Sequence, residues 1–269
     1  MIKYIKRSCS WAVSIITFVF MFVPEDLFKT KVIFEMLSVE KNVILSKLGF
    51  FAAILVLSLL MNGLFVLFKR RVKIKGHNYT IVVKYGDLLK QKKCKVLIPF
   101  DECFSTAVGS SPADINPGSI CGQYLLAHPD TDIQQLLANS SLKPKGKSKY
   151  AGKDRYESGR ILLNNEYLLM AFAKLDKDGL GRMSREEYID SLSILWEELD
   201  KYYGQQDICI PILGSGVTRI GDTSYTQQEL LDDIIYSYKL SLHKIKNPNR
   251  LCIVCKKKGD FSLNKISEA

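Results

Sequence analysis

The chain opens with two long apolar runs and then changes rhythm. From Leu48 to Phe68 no charge interrupts the sequence, and at ~1.5 Å per helical residue this stretch covers about 31 Å, the thickness of a bilayer core. The earlier run, Ser8 to Val23, follows Lys3, Lys6 and Arg7 and is closed by Pro24, Glu25 and Asp26 with no small-x-small cleavage pattern. It reads as a spanning helix rather than a signal peptide, the alternative for so short a run being an interfacial or re-entrant helix. Ser58 and Asn62 are placed to hydrogen-bond between helices, and Gly63 permits close approach. A two-helix transmembrane hairpin is therefore predicted, with spans of about 8–24 and 47–68 and a basic juxtamembrane stretch, 69–75, completing a membrane region of 1–75. Lys69, Arg70, Arg71, Lys73 and Lys75 assign that side to the cytoplasm, and the mixed acids and lysines of the connector suit the outer face, leaving both termini cytoplasmic.

Beyond the basic stop, residues 76–269 alternate short apolar runs with helical stretches, the pattern of an α/β domain. The runs Tyr79 to Tyr85, Lys95 to Pro99, Arg160 to Leu163, Glu166 to Leu175, Asp207 to Leu213 and Arg250 to Cys255 read as strands, rich in β-branched and aromatic residues. A helix from Ser184 to Tyr203 carries Tyr188, Leu192, Leu195 and Leu199 on one stripe. Another, Tyr225 to Leu242, carries Leu230, Leu231, Ile234, Ile235 and Tyr238, and a shorter one covers Ser119 to Leu126.

A hydrophobic content of 47% in 269 residues is ample for one packed domain plus an appendage. The net charge, +10 from 38 basic and 28 acidic residues, suits an anionic partner. Its location at the membrane boundary and in loops, without interleaved aromatics, fits lipid headgroups better than nucleic acid. The Lys/Gly/Ser-rich stretch from Leu142 to Tyr156 reads as a solvated loop or a basic ligand-facing flap, the former favoured. The seven cysteines are scattered through apolar runs and read as reduced and buried. Cys252-Ile-Val-Cys255 is a weak metal signal, since no second pair or histidine cluster completes a zinc site. Asp176 to Glu187 mimics a calcium loop, but Leu180 stands at its fifth position, and the plainer reading is a strand-to-helix turn.

The most informative stretch is Ile208-Cys-Ile-Pro-Ile-Leu213 running into Gly214, Ser215, Gly216, Val217, Thr218, Arg219, Ile220 and Gly221 before a helix opens. Strand, glycine loop and helix together make an anion-binding arrangement, in which backbone N–H groups approach phosphate oxygens and the helix dipole adds positive potential. Ser224 and Gln227 are read as the capping box of that helix. The loop is neither Walker A nor the dinucleotide fingerprint, whose third glycine position Arg219 occupies.

The ordered set Gly86-Asp87-Leu88, Leu97-Ile-Pro-Phe-Asp-Glu102 and Gly214 to Gly221 resembles the macro domain, which binds ADP-ribose and its derivatives. With the membrane runs, Tyr167-Leu-Leu-Met-Ala-Phe-Ala-Lys-Leu-Asp176 and a helix containing Leu195-Trp196, nearly the whole chain resembles the transmembrane macro-type ThsA effectors of bacterial Thoeris antiphage defence. The resemblance implies a three-layer α/β/α sandwich with a mixed sheet, in a multi-pass protein of the bacterial cell membrane. It implies that Asp87 receives the adenine amino group, that Phe100, Asp101 and Glu102 lie in the ribose-loop position, and that residues 214–221 hold the diphosphate. It further implies a signal made from NAD by a partner TIR-domain enzyme, of the histidine-ADP-ribose type, which drives homo-oligomerisation and membrane damage in abortive infection, with no direct contact between the two proteins required. Pro99-Phe-Asp-Glu102 lacks the paired asparagines and glycine run of hydrolytic macro domains, so the expectation is a receptor with no catalytic residue, cofactor or metal. The alternative is a membrane-tethered ADP-ribosyl hydrolase. Asp101 and Glu102 stay open between accepting ligand groups and capping the next turn.

Overall fold

The computed structural model of the chain describes residues 2–22, 38–221, 225–259 and 261–266, and it divides into two compact units, Met1–Lys69 and Arg70–Ala269.

The first unit holds helices α1 (Ile2–Phe22) and α2 (Val39–Leu67). The connector predicted between them, with Pro24, Glu25 and Asp26, lies outside the described residues. Among those described, α2 is the one helix long and apolar enough to cross a membrane, while the apolar part of α1, Ser8–Val19, is shorter. Side chains are arranged inside out. Ser8, Ala12 and Ile16, spaced by four, are buried, as are Asn42, Ser58 and Asn62, whereas Phe18, Met21, Leu57, Leu60 and Phe65 are exposed. Ser58 Oγ donates to Ser8 O at 2.9 Å, and Asn62 Nδ2 donates to Ser8 Oγ at 3.0 Å, the interhelical role expected of those two residues. Polar groups on the seam and hydrocarbon outside suit a lipid surround, where packing and hydrogen bonds hold helices together.

The second unit is built on a seven-stranded sheet ordered β1-β2-β11-β9-β3-β7-β6. Its strands are β1 (Arg71–Lys75), β2 (Thr80–Tyr85), β3 (Cys94–Asp101), β6 (Ile161–Asn164), β7 (Tyr167–Ala173), β9 (Asp207–Pro211) and β11 (Leu251–Cys255). The inner five run parallel, and β1 and β6 pair antiparallel on the two edges. Two small ribbons accompany it: β4 (Gly146–Lys147) with β5 (Asp154–Arg155), and β8 (Arg182–Met183) with β10 (Arg219–Ile220).

Alternation along the strands builds two cores. Leu168, Met170 and Phe172 of β7 and Leu251, Ile253 and Cys255 of β11 join one layer with α5 (Arg185–Tyr202) and α6 (Gln227–Leu240). Leu169, Ala171, Cys252 and Val254 face the other layer, with Cys121 and Tyr124 of α3 (Ile120–Ala127) and Ile133 and Leu137 of α4 (Ile133–Ala138). The unit is therefore an α/β/α sandwich with a mixed sheet. Cys252 and Cys255 point to opposite faces, so C-x-x-C spacing on a strand cannot bring both sulfurs to one metal.

Helix α5 buries its expected stripe, and its capping box, Ser184 with Glu187, fixes its start. The start of α6 differs from expectation. Thr226 and Glu229 form its capping box, two residues beyond the predicted pair, and Ser224 lies outside the described residues. Helix α4, capped by Asp132, was not foreseen.

The domain boundary is also corrected. Residues 71–75 form an edge strand in which Val72 and Ile74 are buried between exposed cations, so the second unit begins at Arg70 rather than Gly76. A period-two alternation of cation and β-branched residue satisfies a membrane stop and a strand at once. Accordingly Ile74→Asp, which buries a charge on the core face of this strand, lowers the stability of the Arg70–Ala269 fragment by roughly 4 kcal/mol. A fragment cut at Gly76 melts below the longer one; equal melting temperatures would detach β1 from the core.

Candidate ligand-binding site

Because the inner strands are parallel, the carboxyl ends of β3, β7, β9 and β11 share one edge of the sheet. Neighbouring β3 and β9 then send the chain to opposite faces, β3 toward α3 and β9 toward α6. Diverging connections at adjacent strand ends open a crevice, the usual ligand position in such sheets. A cleft of about 1070 Å³ lies there, lined by Pro99, Phe100 and Asp101, the loop 109–121, Gly179–Gly181, Pro211–Arg219, and Lys256 and Lys258. A second lobe of about 840 Å³ shares residues 214–219 and continues along Gly221, Tyr225, Gln227, Lys258, Phe261 and Lys265. The glycine loop is the common wall of both.

Local contacts fix the loop at its ends. Tyr188 OH donates to Leu213 O at 3.3 Å, and Ser215 Oγ donates to Ile212 O at 2.6 Å. Farther on, Arg219 N–H donates to Gly181 O and Gly221 N–H to Met183 O, at 2.9 and 2.7 Å. Gly214 has φ +80°, and a Cβ there would stand 2.3 Å from Ile220 Cδ1, so no other residue fits. Between these anchors, among the described residues, the amides of Gly216, Val217 and Thr218 donate to no protein group. A Cβ at Gly216 would meet nothing within 4 Å. Consecutive unengaged amides with Arg219, Lys256, Lys258 and Lys265 around them are the chemistry that an anion requires of a binding surface.

Of the residues expected from the sequence, the structure brings Phe100, Asp101 and the whole 214–221 loop to the cleft and leaves Asp87 and Glu102 out of its lining. Asp87 Oδ1 accepts from Leu89 N at 3.1 Å, closing its own turn, and Lys90 Nζ approaches its other oxygen at 3.9 Å. Glu102 is 2% exposed. Its Oε1 accepts from Ser148 Oγ at 2.5 Å and from Leu175 N at 3.2 Å, while its carbonyl accepts from Tyr156 N at 2.7 Å. It bolts the basic β4–β5 hairpin to the end of β7, so the Lys-rich stretch is an ordered ribbon rather than a free loop. Glu102 does not cap the next turn, one of the two readings held open for it; its carboxylate instead ties Ser148 to Leu175 N. Phe100 is a core residue, 2% exposed, packed against Phe104 and Tyr124.

Asp101 caps the turn that follows β3 from a position on the cleft wall. Its Oδ1 accepts from Cys103 N at 2.8 Å and Ser105 N at 3.2 Å, while the residue lines the cleft. Burial pushes its carboxyl above the usual range, opposed by those backbone donors. The cleft thiols are protonated: burial raises Cys255 to about 12 and takes Cys121 well up.

The calcium-like loop has other work. Asp176 Oδ1 accepts from Asp178 N and Leu180 N, and Oδ2 pairs with Arg182 Nε at 2.8 Å. At its far end Glu187 caps α5 and pairs with Lys174. Its glycines instead line the cleft, and a side chain at Gly179, φ +80°, would collide with Ala113 and Tyr150. The sequence reading also missed the loop 109–118 and Lys256, Lys258 and Lys265. Pro112, Pro117, Gly109 and Gly118 marked that segment as a loop, but nothing local marked it as a wall of the site.

The family profile described as the macro domain of Thoeris protein ThsA matches residues 81–256. A protein named Thoeris protein ThsA, from Bacillus amyloliquefaciens (strain Y2), is 26% identical over 209 residues, covering 74% of this chain and 70% of that one. Among solved structures, the macrodomain of Thermus aquaticus DarG aligns with a TM-score of 0.39 and 14% identity, covering 65% of this chain and 97% of that one. A macrodomain of Oceanobacillus iheyensis, solved with ADP, gives 0.40 and 10%, covering 70% and 89%.

Two outcomes check this geometry. Glu102→Ala loosens the hairpin at a cost of about 2 kcal/mol, read as a lower melting temperature and faster proteolysis within 145–156; an unchanged melt would refute the bolt. For Asp101 the folded state holds the proton more tightly than the unfolded one, so wild-type stability falls as pH rises from the ordinary aspartate value of about 4 through the raised one. Asp101→Asn is therefore more stable than wild type at neutral pH, and denaturant melts show that advantage shrinking toward acid pH.

Proposed function

The chain belongs to the ThsA macro-domain family of Thoeris proteins, and from that premise we propose that it is a membrane-bound receptor for an ADP-ribose derivative. Its signal is of the histidine-ADP-ribose type, made from NAD by a partner TIR-domain enzyme in response to phage. Ligand binding drives the protomers to assemble and damage the bacterial cell membrane, ending in abortive infection. The observation that carries the reading is the stretch of unengaged amides at Gly216 to Thr218, ringed by Arg219, Lys256, Lys258 and Lys265 at the carboxyl edge of a mixed sheet. That is a diphosphate-sized anion receptor flanked by a lobe on each side, which suits a ligand with a group at either end of a diphosphate.

The site supports sensing better than turnover. Glu102 is occupied in holding the hairpin, both thiols in the cleft lining are protonated, and Asp101 is tied to the turn after β3. The hydrolase reading retains one point in its favour, since Asp101 combines a raised pKa with a place on the cleft wall, as a general acid or base requires. Assembly is a physical requirement of the effector reading, because two apolar helices enclose no pore. A ligand promotes it only by binding the assembled state more tightly than the resting one.

The test is calorimetric titration of the Arg70–Ala269 fragment with ADP-ribose, histidine-ADP-ribose and NAD, followed by chromatography of the recovered ligand. Binding with the ligand intact is expected, and free ADP-ribose released from a derivative would move the assignment to hydrolysis. Gly216→Glu, which the open space admits without strain, weakens binding by roughly two orders of magnitude through like charge at the diphosphate and leaves the melting temperature unchanged. Full affinity in this variant would place the ligand elsewhere.

A further inference from the structure

The last strand of the sheet leads into a segment, Lys256–Ile266, that lines the site on one side and packs against Tyr85 on the other. On the cleft side Lys258 and Lys265 line the lobe beyond the glycine loop. Underneath, Phe261, Leu263 and Ile266 are buried in the core, so apolar side chains pin the described residues 261–266 down. Its inner contact is Tyr85, the last residue of β2. The Tyr85 ring meets Phe261 edge-on with centroids 5.9 Å apart, and its hydroxyl accepts from Leu263 N at 3.2 Å.

Tyr85 in turn grips the beginning of the unit: its N–H donates to Arg70 O at 3.1 Å, and beside it Arg71 pairs with Lys84. Helix α2 ends at Leu67, and the Phe68 amide still bonds back to Leu64 O at 2.9 Å. In sequence, Phe68 and Lys69 lie between the helix and this hydrogen bond. The sheet polarity explains why these parts meet. β1 is antiparallel to β2, so the chain enters the domain at the carboxyl end of β2, the same edge of the sheet that carries the cleft.

We propose that Tyr85 is the coupling residue of this receptor, transmitting occupancy of the glycine-loop site through Lys256–Ile266 to Arg70 and hence to the end of α2. The inference rests on the sensing reading above and adds its route. An anionic ligand biases the segment because Lys258 and Lys265 meet its charge only in the occupied state, and a bias of this kind is transmitted where the intervening contacts are packed and short. Tyr85 is a positioning residue: it touches the back of the segment and lies outside the lining of both lobes.

The test uses the full chain in vesicles of phosphatidylethanolamine and phosphatidylglycerol, with ADP-ribose and histidine-ADP-ribose as probes. Three readouts are compared between wild type and Tyr85→Phe, which keeps the ring and removes the acceptor for Leu263 N–H: affinity, release of a trapped dye, and hydrogen exchange at the Tyr85-position amide. In the wild type, ligand changes exchange at that amide and releases dye. In Tyr85→Phe the affinity stays within about twofold, while dye release requires about tenfold more ligand than that affinity predicts, and ligand no longer alters exchange at position 85. Dye release and exchange matching wild type would overturn the route, as would an equal loss of affinity and release, which would make Tyr85 a prop for the binding wall. A wild type that binds neither probe overturns the sensing reading itself, and the coupling with it.

Discussion

Everything at the cleft depends on the parallel register of β3, β9 and β11. Parallel strands deliver their carboxyl ends to one edge, so Asp101, Gly214 and Lys256, far apart in sequence, arrive together. The divergence of α3 and α6 to opposite layers keeps the space beyond that edge open. With β9 antiparallel to β3, the glycine loop would emerge at the other end of the sheet, and the same residues would line nothing in common.

Charge adds to this geometry. The acids that line the cleft are engaged by the fold: Asp101 accepts from the Cys103 and Ser105 amides, and Asp114 from the Ser111 amide. The cations that reach the glycine loop come from the loop itself and from the segment after β11, Lys256 on one lobe, Lys265 on the other, and Arg219 and Lys258 on both. An anion at that loop meets amides and positive side chains together, a stronger arrangement than either alone in a partly desolvated site. In the first unit the logic of burial is reversed, since Ser8, Ser58 and Asn62 are covered while large apolar side chains face outward. That distribution costs free energy in water and little in lipid, and it accompanies an α2 long and apolar enough to cross a membrane.

Much of this was legible in the sequence because it is encoded locally. Apolar runs without charge, the period-3.6 stripe of Tyr188, Leu192, Leu195 and Leu199, the short β-branched runs, and three glycines between a strand and a helix each occupy a single window of sequence. The α/β class, the apolar helices and the strand–glycine loop–helix arrangement follow from patterns of that kind, and the ordered motifs around Asp87, Phe100 and Gly214 carried the macro-domain resemblance. Edge strand β1 escaped because Arg71, Lys73 and Lys75 satisfy the charge pattern of a membrane stop while Val72 and Ile74 satisfy a strand, and spacing alone does not separate the two. The cap of α6 was misplaced because Ser224/Gln227 and Thr226/Glu229 both match a capping box.

The sequence by itself determined most of the elements, the long apolar helix and the place of the glycine loop between a strand and a helix, since backbone propensity and burial periodicity act over neighbouring residues. Only the tertiary structure decided which way each strand end turns and what it meets there. It sent Glu102 inward to Ser148 while leaving Asp101 on the cleft wall, kept Asp87 on its own turn, and brought Lys258 and Lys265 to a loop some forty residues earlier in the chain. It also seated Tyr85 between the last segment and the first strand. These are contacts between positions distant in sequence, fixed by strand order and sheet polarity, and no local window of residues specifies either.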